Sequence, residues 1–222
     1  FHFVKFKMDW RIYKRLLPIG VADGVTELCN GVMIFLFNRI ILRCLGDDGL
    51  VCYTIIAYVN TLIINTMLGI SQGSQPLVSY HYGKEDAAGY RKLLRYGFTA
   101  VGIMTAVICA VVMVFAPQIA GIFLGQENPA LVADAAGALR RYGLCYLLLG
   151  SNILMGGFLT AVERPVGAIC ISVGRGLVFQ ATALAALAFT IGGNTIWYAP
   201  VISEAVCSVM AVWFLRRFLK RA

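Results

Sequence analysis

Of the 222 residues, 59% are hydrophobic and only 14% are charged, and the mean hydropathy is +0.78, whereas a soluble domain carries about 25% charged residues. An ordinary water-soluble fold is excluded. Basic residues outnumber acidic ones 19 to 11, a net charge of +8, but the apolar runs are too long and uncharged for a nucleic-acid footprint, so the excess reads as membrane topology and no nucleic-acid partner is expected.

Residues 1–15 set Phe3, Phe6, Trp10 and Tyr13 on one helical face, with Lys7, Arg11, Lys14 and Arg15 between them, the pattern of an interfacial amphipathic helix. It serves either as an anchor or as a cytoplasmic linker from a preceding bundle. The chain opens on Phe1 rather than methionine, so upstream sequence is expected, and no signal peptide is recognisable. A span needs about 20 apolar residues to cross ~30 Å of hydrocarbon. Six such stretches are predicted, at 16–42, 49–78, 96–116, 142–162, 165–191 and 195–215, within a transmembrane lobe over 16–218 that ends in a basic tail at 219–222. The alternating ten-residue segments of a β-barrel are absent, so the fold class is an all-α membrane protein of six transmembrane helices.

Of the 19 basic residues, 14 fall on the side that holds both ends of the segment, and only Arg39, Arg43, Arg140 and Arg141 fall on the other. The positive-inside rule therefore places both termini in the cytoplasm of a multi-pass inner-membrane protein. The seven cysteines are odd in number and lack any CxxC pair, which suits small packing residues.

Polar groups inside spans are costly, and each is a site hypothesis. The first span carries Asp23, Glu27, Asn30 and Asn38 within an arc of about 80°. Gly20 and Gly24 form a GxxxG at its cytoplasmic end, where another helix could approach closely. Glu27 lies near mid-membrane, where a carboxylate could exchange a proton or bind a small cation; alternatively it pairs with Arg175. Asp23, nearer the interface, has a coupling role or a hydrated structural one. In the second span Asn65, Gly69, Gln72 and Pro76 share a face suited to a water-filled cavity or a helix contact, and Gly69 and Gly73 form a second GxxxG. The fourth span has Ser151 and Asn152 near its centre, and Arg175, inside the fifth, is expected to be a counter-ion. In the sixth, Pro200 should kink the helix four residues before Glu204, which suggests a moving part or a packed acid bonded to Ser203 or Ser208. Tyr80, Tyr82, Tyr142, Tyr146, Trp197 and Tyr198 read as interface belts.

His2 and His81 both lie outside the spans, and HExxH, Walker A and GxSxG motifs are missing. Asp47 and Asp48 suit a solvated turn. With no catalytic constellation and no metal-ligand cluster, the chain is not expected to be an enzyme.

The segment Gly69-Ile70-Ser71-Gln72-Gly73-Ser74-Gln75-Pro76-Leu77-Val78-Ser79-Tyr80-His81-Tyr82-Gly83-Lys84 resembles a hallmark of the multidrug and toxic compound extrusion (MATE) family. So do Ile196-Trp197-Tyr198-Ala199-Pro200-Val201-Ile202-Ser203-Glu204 and the polar first span with its central Glu27. Members have twelve spans in two six-helix lobes, and this chain looks like the C-terminal lobe, with residues 1–15 as the inter-lobe linker. The resemblance implies a MATE-like antiporter that expels cationic amphipathic drugs in exchange for Na⁺ or H⁺, with no cofactor besides that coupling ion. It also implies a lipid bilayer around the lobe and, as partner, either a missing N-terminal lobe or a second half-sized subunit. Glu27 matches the first-span acid implicated in cation coupling, with Asp23 and Asn30 beside it. Glu204, Pro200, Arg175, Asn65, Gln72 and Asn152 would line or gate the cavity. A second acid that some members carry in the fourth span has no counterpart in residues 147–161. A lipid-linked oligosaccharide flippase of the same exporter superfamily and a non-transporting membrane fragment are the alternatives.

Overall fold

The computed structural model describes residues 10–125 and 128–220, with the side chains of residues 11–23, 25 and 26 outside the described set. Its helices are α1 (Trp10–Gly83), α2 (Ala87–Leu124), α3 (Pro129–Gly143), α4 (Tyr146–Ala161), α5 (Pro165–Val173), α6 (Phe179–Thr190) and α7 (Ala199–Leu219); a π turn at Gly174–Val178 joins α5 to α6 and a 3₁₀ turn at Gly193–Tyr198 leads into α7. Most of the expected linker, residues 1–9, lies outside the described residues. From Trp10 the chain is already helical and continuous with the first span.

A straight 74-residue α1 would be about 110 Å long, several times the hydrocarbon thickness. It reverses instead at Gly46, whose φ of 70° and ψ of −160° are open to glycine and little else. Across that break the rings of Phe37 and Tyr53 stack with centroids 5.1 Å apart, whereas sixteen residues of unbroken helix would part them by about 24 Å. Among the described residues, four helices are long and apolar enough to cross a membrane, and the α3–α4 pair, bent by 43°, makes a fifth crossing. The reversal at Gly46 turns the first of these into two, which gives six spans.

Several boundaries differ from expectation. The segment expected to connect the third and fourth spans is largely helical and forms the first arm of the bent α3–α4 pair: α3 buries Ala135, Ala136, Ala138 and Leu139. It hydrogen-bonds back to α2 through Arg140, whose Nε donates to the Met113 carbonyl at 2.9 Å. Pro200 does not kink a helix interior. It occupies the first turn of α7, where the N–H it lacks would have had no helical partner. Tyr142, Tyr146 and Trp197 are core residues, 5%, 0% and 1% exposed, gathered in one apolar core rather than on an interface belt.

Two apolar cores meet along α4. One gathers Phe37, Ile56, Met67, Leu139, Tyr146 and Trp197; the other, at the opposite end, gathers Tyr90, Phe158, Ile171 and Phe218. Close approach to α4 is set by its small residues: a Cβ on Gly150 would meet Val101 Cγ1 at 2.6 Å, Thr105 Cγ2 at 2.7 Å and Met67 Sδ at 2.9 Å, and one on Gly157 would overlap Ser71 Oγ. The second limb of α1 is fastened to α4 by Ser71 and Ser79, whose hydroxyls donate to the carbonyls of Ile153 at 3.4 Å and Ala161 at 3.0 Å. Among the described residues the close approaches expected at the GxxxG pairs are not found, since open space surrounds Gly24, Gly69 and Gly73; the surroundings of Gly20 lie outside the described set.

Candidate functional site

The polar residues separate into a buried cluster and an exposed face. In the cluster, α7 presents Glu204 one turn in from its proline start, 5% exposed, and α4 presents Asn152, fully buried. Asn152 Nδ2 donates to Glu204 Oε2 at 2.7 Å and to the Glu204 backbone carbonyl at 3.0 Å. Arg175 donates from Nη1 to the other carboxylate oxygen, Oε1, at 3.3 Å. The Ser208 hydroxyl completes the ring, bonding Asn152 Oδ1 at 3.0 Å and the Glu204 carbonyl at 2.8 Å. Ser203 in turn donates to the Arg175 carbonyl at 3.3 Å.

Arg175 sits inside the π turn, where the helix carries a residue more than an α turn holds. Such a turn displaces the local face of a helix and recurs at functional sites. Gly174 lets it close against α7: a Cβ there would meet Phe179 Cε2 at 2.9 Å and Met210 Cε at 3.0 Å. A buried carboxylate that accepts from both an amide and a guanidinium is compensated on both oxygens, and so it tolerates burial that an isolated charge would not. Three helical segments distant in sequence are thereby tied, the π turn to α7 by the ion pair and α4 to α7 by the Asn152 hydrogen bonds. Its members were all singled out from sequence, but the partner was not: Arg175 is engaged by Glu204, and Glu27 takes no part in that pair. The Ser203 and Ser208 bonds reach backbone carbonyls and Asn152, leaving the Glu204 carboxylate to Asn152 and Arg175.

Glu27 and Asn30 lie on the exposed face of α1, with Glu27 in a shallow groove of about 580 Å³ lined with Gly24, Leu28, Gly31, Val32 and Phe35. The Asp23 side chain lies outside the described residues. Asn30 adjoins the π turn: a Cβ on Gly176 would come within 3.4 Å of its Oδ1. On the second limb, Thr54, Thr61, Asn65 and Gln72 are all exposed and fall within an arc of about 40° at ~100° per residue. The hydroxyls of Thr54 and Thr61 are satisfied by the carbonyls four residues back, at 3.0 and 2.8 Å. The exposed positions of α2 differ in kind: Ile103, Val107, Val111 and Val114 present apolar side chains. Among the described residues no group of three or more His, Cys, Asp or Glu is placed to hold a metal.

The sequence profile of the MatE family matches residues 24–181. The chain is similar to the probable multidrug resistance protein NorM of Rhizobium meliloti (strain 1021), 24% identical over 231 positions that cover 99% of this chain and 48% of that protein. In structure it is similar to a multidrug resistance MATE family transporter of the MOP superfamily in its outward-facing conformation, with a TM-score of 0.89 at 21% identity over 100% of this chain and 50% of that one. The inward-facing conformation of a transporter so described gives 0.86 at 19%, over 97% and 50%. A MOP superfamily transporter from Pyrococcus furiosus, described as having a binding pocket of reverse polarity, gives 0.87 at 20%, over 97% and 48%. The chain spans about half the length of each of these relatives, and the structural likeness is one of fold.

Proposed function

The chain belongs to the MatE family, and on that premise we propose that it is the C-terminal six-helix lobe of a two-lobe antiporter that exports cationic amphipathic compounds in exchange for Na⁺ or H⁺. The observation that carries this reading is the exposed polar face. At membrane depth, polar side chains face water or protein rather than lipid. Glu27, Asn30, Asn65 and Gln72 therefore form one wall of a cavity whose other wall is a second lobe, either in the same chain or in a second half-sized subunit. The half-length match to the multidrug resistance protein NorM supports both that second wall and a drug as substrate. In this reading the basic residues set both ends of the segment in the cytoplasm of the inner membrane, with residues 1–15 as linker and 219–222 as tail.

Transport follows from competition for charge. With its carboxylate ionised, Glu27 attracts a cationic drug into the cavity; a proton or Na⁺ arriving from outside neutralises it, so the drug is released as the ion enters. Asp23 and Asn30 flank the same site. Differential binding of ion and drug then shifts the balance between inward- and outward-facing arrangements. The fit of one lobe to both an outward-facing and an inward-facing relative, at TM-scores of 0.89 and 0.86, supports movement of the lobe as a unit. Glu204, Arg175 and Asn152 hold α4, the π turn and α7 together during that movement, Pro200 sets the start of α7, and Asn65 and Gln72 line the cavity.

Ethidium efflux from energised cells expressing the full reading frame tests the proposal, comparing wild type with Glu27→Gln while the Na⁺ and H⁺ gradients are collapsed separately. Coupling energies of about 1–3 kcal/mol correspond to roughly 5–150-fold effects, so the variant should lose efflux within that range, and collapse of one gradient should do the same to wild type. Efflux and ion dependence unchanged in Glu27→Gln would remove Glu27 from the mechanism.

A further inference from the structure

We propose that the groove between the start of α5 and the end of α7 binds the headgroup of a monoanionic phospholipid such as phosphatidylglycerol. The groove encloses about 420 Å³. Its floor is apolar, formed by Leu159, Phe214 and Phe218, with Gly167 letting α5 approach so closely that a Cβ there would meet Leu159 Cδ1 at 3.0 Å and Phe214 Cδ1 at 3.4 Å.

Its rim carries Arg164 and Arg217, and each guanidinium lies over an aromatic ring: Arg164 5.9 Å from the Phe218 centroid, Arg217 5.3 Å from that of Trp213. A ring face beneath each guanidinium carbon holds the charge at the rim, and the guanidinium fork matches phosphate geometry. Arg164 is itself the N-cap of α5, which begins with Pro165 in its first turn and has no side-chain cap. The N–H groups of Val166 and Gly167 are thus turned toward an outside acceptor at the positive end of the helix dipole.

The groove lies at headgroup depth. The same end of the lobe carries Lys84 over Tyr80 at 4.3 Å and Lys92 over Tyr96 at 5.7 Å, the pairing of basic and aromatic residues that marks a membrane interface. Acyl chains have apolar surface to follow from there, since Val166 is 70% and Trp213 53% exposed. Glu163 also lines the groove; among the described lining residues two cations stand with one carboxylate, a balance suited to a single phosphodiester.

The test is native mass spectrometry of the purified full-length protein titrated with dioleoyl phosphatidylglycerol or dioleoyl phosphatidylcholine. Wild type should retain phosphatidylglycerol in preference, and Arg164→Gln/Arg217→Gln should lose that preference by about tenfold or more, each basic group at an anionic surface contributing comparably. Arg164→Lys/Arg217→Lys should recover part of it. Lys84→Gln/Lys92→Gln, which removes equal charge from the same face, should leave it intact. Absence of the preference in wild type, its survival in Arg164→Gln/Arg217→Gln, or its equal loss in the Lys84/Lys92 variant would each overturn the proposal, the last by assigning the binding to diffuse surface charge.

Discussion

At the scale of single residues the decisive fact is which charge meets which. Glu204 is buried and bonded on both oxygens, to Asn152 at 2.7 Å and Arg175 at 3.3 Å, while Glu27 stands on an exposed face. The first carboxylate is committed to holding helices together, and the second is available to a ligand. Arg175→Leu would leave a buried carboxylate without its counter-ion, a change that costs about 3–5 kcal/mol, whereas replacing both members with apolar residues of similar volume is often neutral. Thermal unfolding of the full-length protein in detergent should therefore show a large drop for Arg175→Leu and recovery of most of it in Arg175→Leu/Glu204→Leu. If the double variant melted as low as the single one, the unpaired Glu204 charge would not be the source of the loss, and the pair would not be what ties the π turn to α7. From sequence, Arg175 and Glu204 were each visible as lone charges in apolar spans, but their partnership was not. Depth along a helix is legible, whereas rotation about its axis, which decides whether Arg175 meets Glu27 or Glu204, depends on the extra residue of the π turn.

Helical elements were legible for the most part, because an apolar run of about 20 residues has one stable form in lipid. The exceptions share a cause. GxxxG spacing announces a smooth helix face without saying whether anything lies against it, and Gly69 and Gly73 face open space. The glycines that matter for packing within the lobe, Gly150 and Gly157 on α4, are seven residues apart, a spacing that no GxxxG pattern announces. Pro200 was placed inside a helix because the preceding 3₁₀ turn at Gly193–Tyr198 is itself apolar enough to pass for more of the span. Outside the membrane, Asp86 caps α2 by accepting from the Gly89 N–H at 2.9 Å and lies 2.8 Å from His81 Nδ1, contacts that hold its carboxyl below the ordinary aspartate range. The glycine contrast is testable by thermal unfolding. Gly150→Ala forces a methyl among Val101, Thr105 and Met67 and should cost about 1–3 kcal/mol. Gly69→Ala meets nothing and should be neutral or stabilising by up to about 1 kcal/mol through helix propensity. Equal effects at the two positions would show that α4 is not the packing axis of the lobe.

At the scale of the whole molecule, the lobe has two kinds of exposed surface, and they require different surroundings. The outer face of α2, with Ile103, Val107, Val111 and Val114 exposed, suits hydrocarbon. The stripe of Thr54, Thr61, Asn65 and Gln72 on α1 does not, and a half-length chain offers it no wall of its own. Water should therefore reach one face and not the other. The seven cysteines of this lobe are free and are buried or half-buried, and the labelling background replaces them together with any others in the full-length protein. In that background, Asn65→Cys and Gln72→Cys in the full-length transporter should react with a membrane-impermeant maleimide, and ethidium should slow the reaction. Ile103→Cys and Val107→Cys, exposed on the lobe but facing lipid, should stay unlabelled. An unlabelled stripe would mean that it is sealed against another protein surface throughout the cycle, and the cavity would have to be sought elsewhere on the lobe; equal labelling of the two faces would mean that α2 does not face lipid.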